Sequence, residues 1–378
     1  MIAVILGFLF VFLFLFEWNM SVYRPFVTKP LAKYPSVSIL VPARNESPHI
    51  GPNVESLLAQ DYPDFEVIVL DDDSTDDTAK ILASLKARHK HLRVLSGEPL
   101  PAGWTGKNRA CHRLSEAAAN EWLLFVDADT HHAPDGLKRA VETVVHRDAV
   151  LVSTFPRQRL ASWGDALLVP LMYFVLLTYL PMYFVAKRTW RWVGDFSAAC
   201  GQYMLIRKDV YRQIRGHEII KARISEAPLI ASAAKKTGGR ILLLDGSRWV
   251  SCSMYKSFGE AYKGFTRSVF ASMGASPVAV IFFLTLQTFM FHVPYVTLLW
   301  AVFTGQFSTA LFWGSLIAIA VPLWMRFRIH QRVGMPRRFI WPHGLSILLY
   351  HIVMLNSFID YKFRRNTSWK SRTYANPT

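Results

Sequence analysis

The sequence predicts an α/β fold with a mostly parallel, doubly wound sheet, together with apolar helices near both ends of the chain. Two observations predict it. Strand-like and helix-like segments alternate from about residue 35 to 165, which is typical of parallel strands joined by crossover helices. Long apolar runs fill the first two dozen residues and most of the chain after about residue 277.

The alternation can be followed segment by segment. "SVSILVPARNE" predicts a strand and a loop, and "VESLLAQ" part of a helix. "FEVIVLDDDSTDDT" predicts a strand and a carboxylate-rich turn, in which Ser74 or Thr75 is placed to cap the next helix. "LRVLSG" predicts a strand, "GKNRACHRLSEAAA" a helix and "EWLLFVDAD" a further strand.

The first apolar run predicts a membrane anchor at residues 1–24. "MIAVILGFLFVFLFLF", extended to about Tyr23, is long enough to cross a bilayer. No charged segment precedes it and no small-residue cleavage site follows, so we prefer an anchor to a signal peptide.

The later apolar segments predict three further membrane contacts. We expect an interfacial helix at about 163–186, inside a domain of residues 35–272, because a crossing there would separate the two halves of one site. Residues 278–303 and 308–325 predict a hairpin of spanning helices within a membrane region of residues 277–360. A full crossing at 339–359 would place the basic tail, residues 361–378, outside, so we expect an interfacial or re-entrant segment there.

Charge and cysteine content exclude several classes of protein. The net charge is +16, and many Lys and Arg residues, Arg326 among them, flank apolar segments, which predicts a basic cytoplasmic surface beside a membrane. Nucleic-acid binding is the weaker alternative and we expect no such partner, since no basic stripe is interleaved with aromatics. The three cysteines, Cys111, Cys200 and Cys252, form no CxxC pair and fit a reducing compartment.

Acidic residues lie where the predicted strands end. Asp71 and Asp72 follow one strand, and Asp127 and Asp129 follow another. Ligands of such sheets bind beyond the carboxyl ends of the strands. Asp127 and Asp129 suit a divalent metal held jointly by carboxylates and substrate phosphates, although two aspartates alone are more often a helix cap or a solvated turn.

Two further loops strengthen the metal hypothesis. "PARNE" follows the first strand, and "LPAGWTGKN" places Lys107 at the start of a helix, where phosphate oxygens bind readily. Each loop has an ordinary structural explanation, and it is their joint order along the chain that indicates a site.

Residues 36–272 resemble the inverting family 2 glycosyltransferases with the GT-A fold. The resemblance rests on "VPARNE", "LDDDSTDDT", "LPAGWTGKN" and "FVDADTHHAPDGL". The membrane-bound branch with hopanoid-associated and carotenoid (diaponeurosporenoate-type) glycosyltransferases is the most similar, and the tail "SWKSRTY" resembles it too. The motifs are specific for the superfamily and poor for the substrate.

The resemblance implies roles for particular residues. The nucleotide would be held by Pro42, Arg44, Asn45, Glu46 and Asp72. Lys107 would contact the nucleotide or the diphosphate. Asp127 and Asp129 would face the metal (Mg²⁺ or Mn²⁺) and the sugar nucleotide. Of the pair, Asp129 is the stronger metal ligand.

The resemblance also implies a catalytic base in "GHEIIKARISEAPLIASAAKKTG". The family usually has an acidic pair here, whereas this chain has Ser225 and Glu226. Glu226 supplies the carboxylate that must take the acceptor proton. A helix-capping Ser225 with Glu226 in the first turn is the structural alternative, and an altered activity is its consequence.

Three more positions complete the prediction. The QxxRW motif of processive relatives is reduced to Arg267 in "GFTRSVF", which speaks against a polysaccharide synthase. Gln202 and His217 are assigned to the acceptor side.

The sequence therefore predicts a multi-pass enzyme of the plasma membrane with a cytoplasmic catalytic domain. It would transfer a sugar from a nucleotide-diphosphate donor, most simply a UDP-sugar, to a lipid acceptor. The acceptor would enter beside Trp163, Tyr173, Trp190 and Trp192. The alternatives are a non-catalytic membrane protein with the same fold and a polyprenyl-phosphate sugar synthase.

Overall fold

The computed structural model describes residues 1–187, 196–223, 226–364, 366–369 and 372–375. Its chain forms two compact units. The helical unit comprises Met1–Val22, Arg159–Pro181 and Met254–Thr367. The sheet unit comprises Tyr23–Gln158, Met182–Ser253 and Ser368–Thr378. The predicted domain boundaries at residues 35 and 272 stay a prediction.

Among the described residues of the sheet unit, ten strands build the two larger sheets. They are β1 (Val37–Ala43), β2 (Phe65–Asp71), β3 (Leu92–Ser96), β4 (Trp122–Val126), β5 (Thr130–His132), β6 (Leu151–Phe155), β7 (Arg157–Gln158), β8 (Tyr203–Arg207), β9 (Ile241–Asp245) and β10 (Val250–Cys252). The larger sheet has the order β3-β2-β1-β4-β8-β6-β9, and the smaller one β5-β10-β7. In the larger sheet only β8 runs antiparallel to its neighbours, β4 and β6, which confirms the mostly parallel sheet.

The chain's helices are numbered from its first residue. The sheet unit contains α2 (Ile50–Leu58), α3 (Thr78–Arg88), α4 (Gly106–Ala117), α5 (Gly136–His146), α7 (Met182–Ala186), α8 (Lys208–Gln213) and α9 (Ala227–Lys236). The helical unit contains α1 (Ile2–Val22), α6 (Trp163–Tyr179), α10 (Phe258–Ser272), α11 (Pro277–Phe291), α12 (Val293–Phe303), α13 (Ala310–Val333) and α14 (His343–Ile359). Two short strands, β11 (Asn366–Trp369) and β12 (Arg372–Ala375), pair with each other near the C-terminus.

The core of the sheet unit explains why the strands read as continuous apolar runs. All five residues of β4 and of β9 are buried, as are the central residues of β1 and β2. A sheet covered on both faces needs apolar side chains on both, so its strands lose the alternation of half-exposed strands. The polar loops that follow these strands are thereby left at one edge of the sheet.

The predicted helix cap at Ser74 or Thr75 is wrong. Helix α3 begins only at Thr78. The Ser74 hydroxyl instead donates to the Asp71 carboxylate and accepts the backbone N–H of Asn45 at 2.9 Å. The hydroxyl therefore ties two loops together, because the acidic turn runs on past Ser74 before the helix starts.

Four helical stretches in the described part of the chain are long and apolar enough to cross a membrane. They are Ile2–Val22, Pro277–Phe303, Ala310–Val333 and His343–Phe363. Helix α6 is apolar but has only 17 residues. Its interfacial position, and that of residues 339–359, stay predictions.

One charged residue does not lie where the sequence places it. Arg326 was expected on the basic surface beside the membrane, yet its side chain is 0% exposed inside the helical unit. The other helices of that unit cover it, a tertiary effect that flanking charge patterns cannot reveal.

Candidate active site

The loops after β1 and β2 are joined by hydrogen bonds at the carboxyl edge of the sheet. The buried Arg44 guanidinium donates to the backbone carbonyls of Asp72 and Asp73, the latter at 2.7 Å. Asn45 has a left-handed φ of 52°, and its Oδ1 accepts the N–H of Thr75 at 2.8 Å. Together these bonds fix the shape of a polar double loop.

Three other predicted nucleotide residues belong to the same double loop. Pro42 lies opposite Leu70 in the register of β1 and β2. The backbone N–H of Glu46 donates to Thr78 Oγ1 at 2.8 Å, and that of Asp72 donates to the carbonyl of Ala43 at 2.8 Å. The structure therefore brings all five predicted nucleotide residues to one edge.

A glycine that the sequence analysis did not single out supports this double loop. The N–H of Gly97, directly after β3, donates to the carbonyl of Asp71 at 2.7 Å. A Cβ at this position would lie 3.0 Å from both the Asp71 carbonyl oxygen and the Asp72 Cα. Any larger residue would force the neighbouring backbone to move by a few tenths of an ångström.

The Lys107 ammonium joins two carboxylates that come from distant parts of the chain. Its Nζ lies 2.7 Å from Asp127 Oδ1, after β4, and 2.8 Å from Glu226 Oε1, before α9. The three side chains are only 24%, 26% and 11% exposed, in that order. Such charge-assisted bonds in a partly desolvated place are strong and fix the side chains relative to one another.

The same contacts set the protonation states. Burial raises the pKa of Asp127, the Lys107 charge counteracts that rise, and the nearby Asp129 charge adds to it. Burial would also raise the pKa of Glu226, but the attraction of Lys107 outweighs it and leaves the pKa below its usual value. Glu226 is therefore ionised at neutral pH. Lys107 keeps its proton, since the two carboxylates raise its pKa despite burial.

The turn that carries Asp127 and Asp129 is held by neutral side chains. Asn53 Nδ2 donates to the carbonyls of Thr130 at 2.8 Å and of Asp127 at 3.3 Å. The Cys252 thiol lies within hydrogen-bonding range of the Asp129 carboxylate. The two aspartates thus share one rigid turn, and each interacts with a different partner.

Helix α4 is docked to the segment that leads to Glu226. Asn108 Nδ2 donates to the carbonyls of Ile220 and Arg223, both at 2.8 Å. The backbone N–H of Thr105 donates to the carbonyl of Lys221 at 2.8 Å. Asn108 is 1% exposed. The sequence analysis missed its role, although an asparagine one residue after Lys107 was the available signal.

Gly201 is a third residue that the sequence did not reveal. A Cβ there would lie 2.6 Å from Glu226 Oε1 and 3.3 Å from Lys107 Nζ. Because glycine has no side chain, the Glu226 carboxylate and the Lys107 ammonium can occupy this space. Nothing in the local sequence distinguishes this glycine from one in an ordinary turn.

Gln202 and His217, predicted on the acceptor side, are both buried close to these groups. Gln202 Nε2 donates to Cys252 Sγ at 2.9 Å and thereby contacts the thiol beside Asp129. The His217 ring bonds the Tyr211 hydroxyl through Nδ1 at 2.7 Å. Burial lowers the pKa of His217 to about 3, so the ring is neutral at physiological pH. Contact with an acceptor stays a prediction for both.

The remaining predicted positions do not belong to the described part of the sheet unit. Arg267 is on α10, in the helical unit. Ser225, Trp190 and Trp192 lie outside the described residues.

Comparison with known proteins identifies the class. The fold is that of a mannosyltransferase from Pyrobaculum calidifontis solved with GDP-Man and Mn²⁺, with a TM-score of 0.60 at 15% identity over 96% of this chain and 97% of that one. It is the GT-A fold of glycosyltransferases.

The sequence comparisons indicate a smaller group of related proteins than the fold does. Residues 38–215 match the family described as Glycosyl transferase family 2. The 4,4'-diaponeurosporenoate glycosyltransferase of Staphylococcus aureus strain bovine RF122 / ET3-1 is 25% identical over 354 residues, 90% of this chain and 88% of that protein. Its counterpart in strain USA300 is 24% identical over the same length. Within the matched segment the chain is thus similar to family 2 glycosyltransferases, and the comparisons together indicate a glycosyltransferase.

Proposed function

We propose that the protein transfers a sugar, with inversion, from a nucleotide-diphosphate sugar to a membrane lipid. A UDP-sugar is the first donor to test, and carotenoids, hopanoids and other isoprenoid lipids or glycolipids are the acceptors. The observation that carries the proposal is the ion pair cluster of Lys107, Asp127 and Glu226, which combines a cation for a diphosphate with an ionised carboxylate.

Glu226 is proposed as the base. Its carboxylate takes the proton of the acceptor hydroxyl while that oxygen attacks the anomeric carbon. The bond between the anomeric carbon and the diphosphate oxygen breaks, and its electron pair leaves with the diphosphate. One displacement at one carbon inverts its configuration. Glu226 is suited to the step because it is ionised before the acceptor arrives.

Lys107 is proposed to serve the leaving group. Without donor its ammonium is shared by two carboxylates. A bound diphosphate would bring further negative oxygens to the same cation. Lys107 lies in the first turn of α4, where backbone N–H groups also favour phosphate oxygens. The charge that develops on the diphosphate would thereby be stabilised where it forms.

The double loop is the proposed nucleotide site. Pro42, Arg44, Asn45, Glu46 and Asp72 gather at the carboxyl edge of parallel strands, the usual place for a ligand of such a sheet. The Pyrobaculum protein of the same fold was solved with GDP-Man, which supports a nucleotide sugar as the donor.

The carboxylates of Asp127 and Asp129 fit a divalent cation only when a bound substrate supplies further ligands. Among the described residues no three His, Cys, Asp or Glu side chains are grouped to hold a metal. Mg²⁺ and Mn²⁺ are, however, commonly held by one or two carboxylates plus substrate phosphates. Asp129 and Asp127 would hold the ion, which when bound neutralises the diphosphate. The Mn²⁺ in the Pyrobaculum protein supports this assignment.

The lipid acceptor and the location are inferred from two observations. The Staphylococcus relatives are named for a carotenoid acid, and four helical stretches among the described residues are long and apolar enough to cross a membrane. We infer a multi-pass protein of the plasma membrane with its site on the cytoplasmic face. Gln202 and His217 are assigned to the acceptor side, and Arg267 to substrate binding as the remnant of the QxxRW motif, within a domain of residues 35–272.

The proposal is tested by measuring sugar transfer with purified protein in detergent. Radiolabelled UDP-glucose and other common nucleotide sugars serve as donors, and total membrane lipid supplies the acceptor. Labelled lipid should form with added Mg²⁺ or Mn²⁺, disappear with a chelator and be lost in Asp129→Ala. No transfer from any donor, or full activity in Asp129→Ala, would contradict it. Label found only on polyprenyl phosphate would instead favour a synthase of that class.

A further inference from the structure

The helical unit buries a guanidinium that has no anionic partner in the described part of the chain. Arg326, on α13, is the largest of the fully buried side chains. Its Nη2 donates to the carbonyl of Phe339 at 2.9 Å. Its Nε and Nη1 have no hydrogen-bond partner among the described residues, and no Asp or Glu there forms a salt bridge with it.

A guanidinium keeps its charge in any protein environment, so this one cannot escape burial by losing a proton. An isolated buried charge is strongly unfavourable unless an opposite charge accompanies it. One carbonyl satisfies one of the three nitrogens and supplies no charge. The neutralising group must therefore come from outside the described chain.

Three other polar side chains of the helical unit, His330, His343 and Ser346, are equally buried. His330 and His343 both interact electrostatically with Arg326. Both ring nitrogens of His343 and the hydroxyl of Ser346 lack partners among the described residues. Ser346 follows His343 by three residues on α14, so the two side chains share a face of that helix.

His330 adds a donor that depends on its charge. Its Nδ1 donates to the carbonyl of Pro336 at 2.9 Å, which leaves Nε2 without a hydrogen in the neutral ring. An anion beside Arg326 would favour the protonated ring, whose Nε2 then donates as well.

We propose that Arg326, His330, His343 and Ser346 bind the anionic headgroup, a phosphate or a carboxylate, of a lipid. Arg326 offers a planar cationic fork, His343 and Ser346 offer neutral donors, and His330 donates once its ring is protonated. This combination recognises such oxyanions. They lie on α13 and α14, each part of a stretch apolar and long enough to cross a membrane.

The surroundings favour a lipid over a soluble anion. The His343 ring packs against Phe174 and Phe291, with ring centroids 4.8 Å and 5.3 Å apart. An ion that leaves water for this place needs an apolar part to compensate its dehydration, and acyl chains supply one. The site requires no sugar transfer, so it stands or falls separately from the proposed function.

The test is thermal unfolding of the full-length protein, stripped of lipid in an uncharged detergent. Phosphatidylglycerol should raise the Tm by about 3 °C at about 100 times its Kd, and phosphatidylcholine should not. Arg326→Met should abolish the shift. Without lipid this variant should be at least as stable as wild type, since an apolar side chain replaces an uncompensated charge.

Arg337→Met is the matched control, because Arg337 is exposed and lies in the same basic segment. It should keep the full shift, which separates the buried site from general attraction to a basic surface. Ser346→Ala removes one hydroxyl and should reduce the shift even if Arg326→Met fails to fold.

Three results would overturn the proposal. One is an equal shift with both lipids, and another is a full shift in Arg326→Met or Ser346→Ala. The third is a full shift with inorganic phosphate alone, which would assign the site to a free anion. Native mass spectrometry of the wild type purified without stripping provides an independent arm: retained anionic lipid supports the site, and its absence contradicts it.

Discussion

Lys107 Nζ lies 2.8 Å from Glu226 Oε1, and this contact decides the charge of the proposed base. Burial alone would favour a protonated Glu226, whereas the ammonium keeps it ionised. The contact also joins the first turn of α4 to the residue before α9. One ion pair therefore couples the proposed phosphate-binding end of the site to the proposed base.

Removing Lys107 should shift the pH dependence of the reaction. In Lys107→Met the pKa of Glu226 is no longer lowered, so burial raises it and the base is protonated at a higher pH. We expect the acidic limb of the kcat/KM profile to move to higher pH and kcat to fall by about 10²-fold. Lys80→Met, on the exposed side of α3, should leave both unchanged. An unshifted acidic limb would show that Lys107 does not act on the base.

A methyl group at Gly201 should disturb the ion pair without unfolding the protein. The added Cβ would lie 2.6 Å from Glu226 Oε1, the end of a flexible side chain that can move away. Gly201→Ala should lower kcat by about 10-fold or more, since small displacements of a base are costly. Gly51→Ala, where the nearest atom is 3.6 Å away, serves as the control and should be fully active. Equal activity of the two variants would contradict the packing argument.

Asn108 should act as a positioning residue. Asn108→Ala removes the side-chain donor of the Arg223 carbonyl and one of the two donors of the Ile220 carbonyl, which should cost about 1–3 kcal/mol of stability. The segment before Glu226 loosens, so kcat should fall while the KM for the donor stays near wild type. Asn120→Ala, which removes a single bond to Val37, is the control for general destabilisation. A rise in donor KM with normal kcat would exclude this role.

Gly97 should affect donor binding and not the chemical step. In Gly97→Ala the Cβ lies 3.0 Å from backbone atoms of Asp71 and Asp72, which cannot yield as a side chain does. The double loop must shift, so the Kd for the nucleotide should rise. Calorimetric titration with UDP and GDP checks this. Unchanged affinity for every nucleotide would remove the double loop from the donor site.

Much of the sheet unit was predictable from its sequence. The apolar runs gave β1, β2 and β4, and the rule that ligands bind beyond the ends of parallel strands selected the loops around Arg44 and Asp127. The start of α3 was not predictable from Ser74, because that hydroxyl bonds across to Asn45, a partner in another loop.

The contacts between residues that complete the site could not be predicted from the sequence. Glu226 and Lys107 were each chosen for their own motif, and only folding shows that they touch. Gly201 carries no local signal, since its importance lies in the atoms that surround it. Arg326 looked like one of many membrane-flanking charges until the helices around it were seen to bury it.

The most direct test compares donor binding and sugar transfer in Glu226→Gln. The amide keeps the size of the side chain and an oxygen for Lys107, but it cannot take a proton. The account predicts an unchanged Kd for the nucleotide sugar and a rate of transfer to lipid that is about 10²- to 10⁴-fold lower. Transfer at the wild-type rate in this variant would contradict the assignment of Glu226 as the base, and with it the central claim.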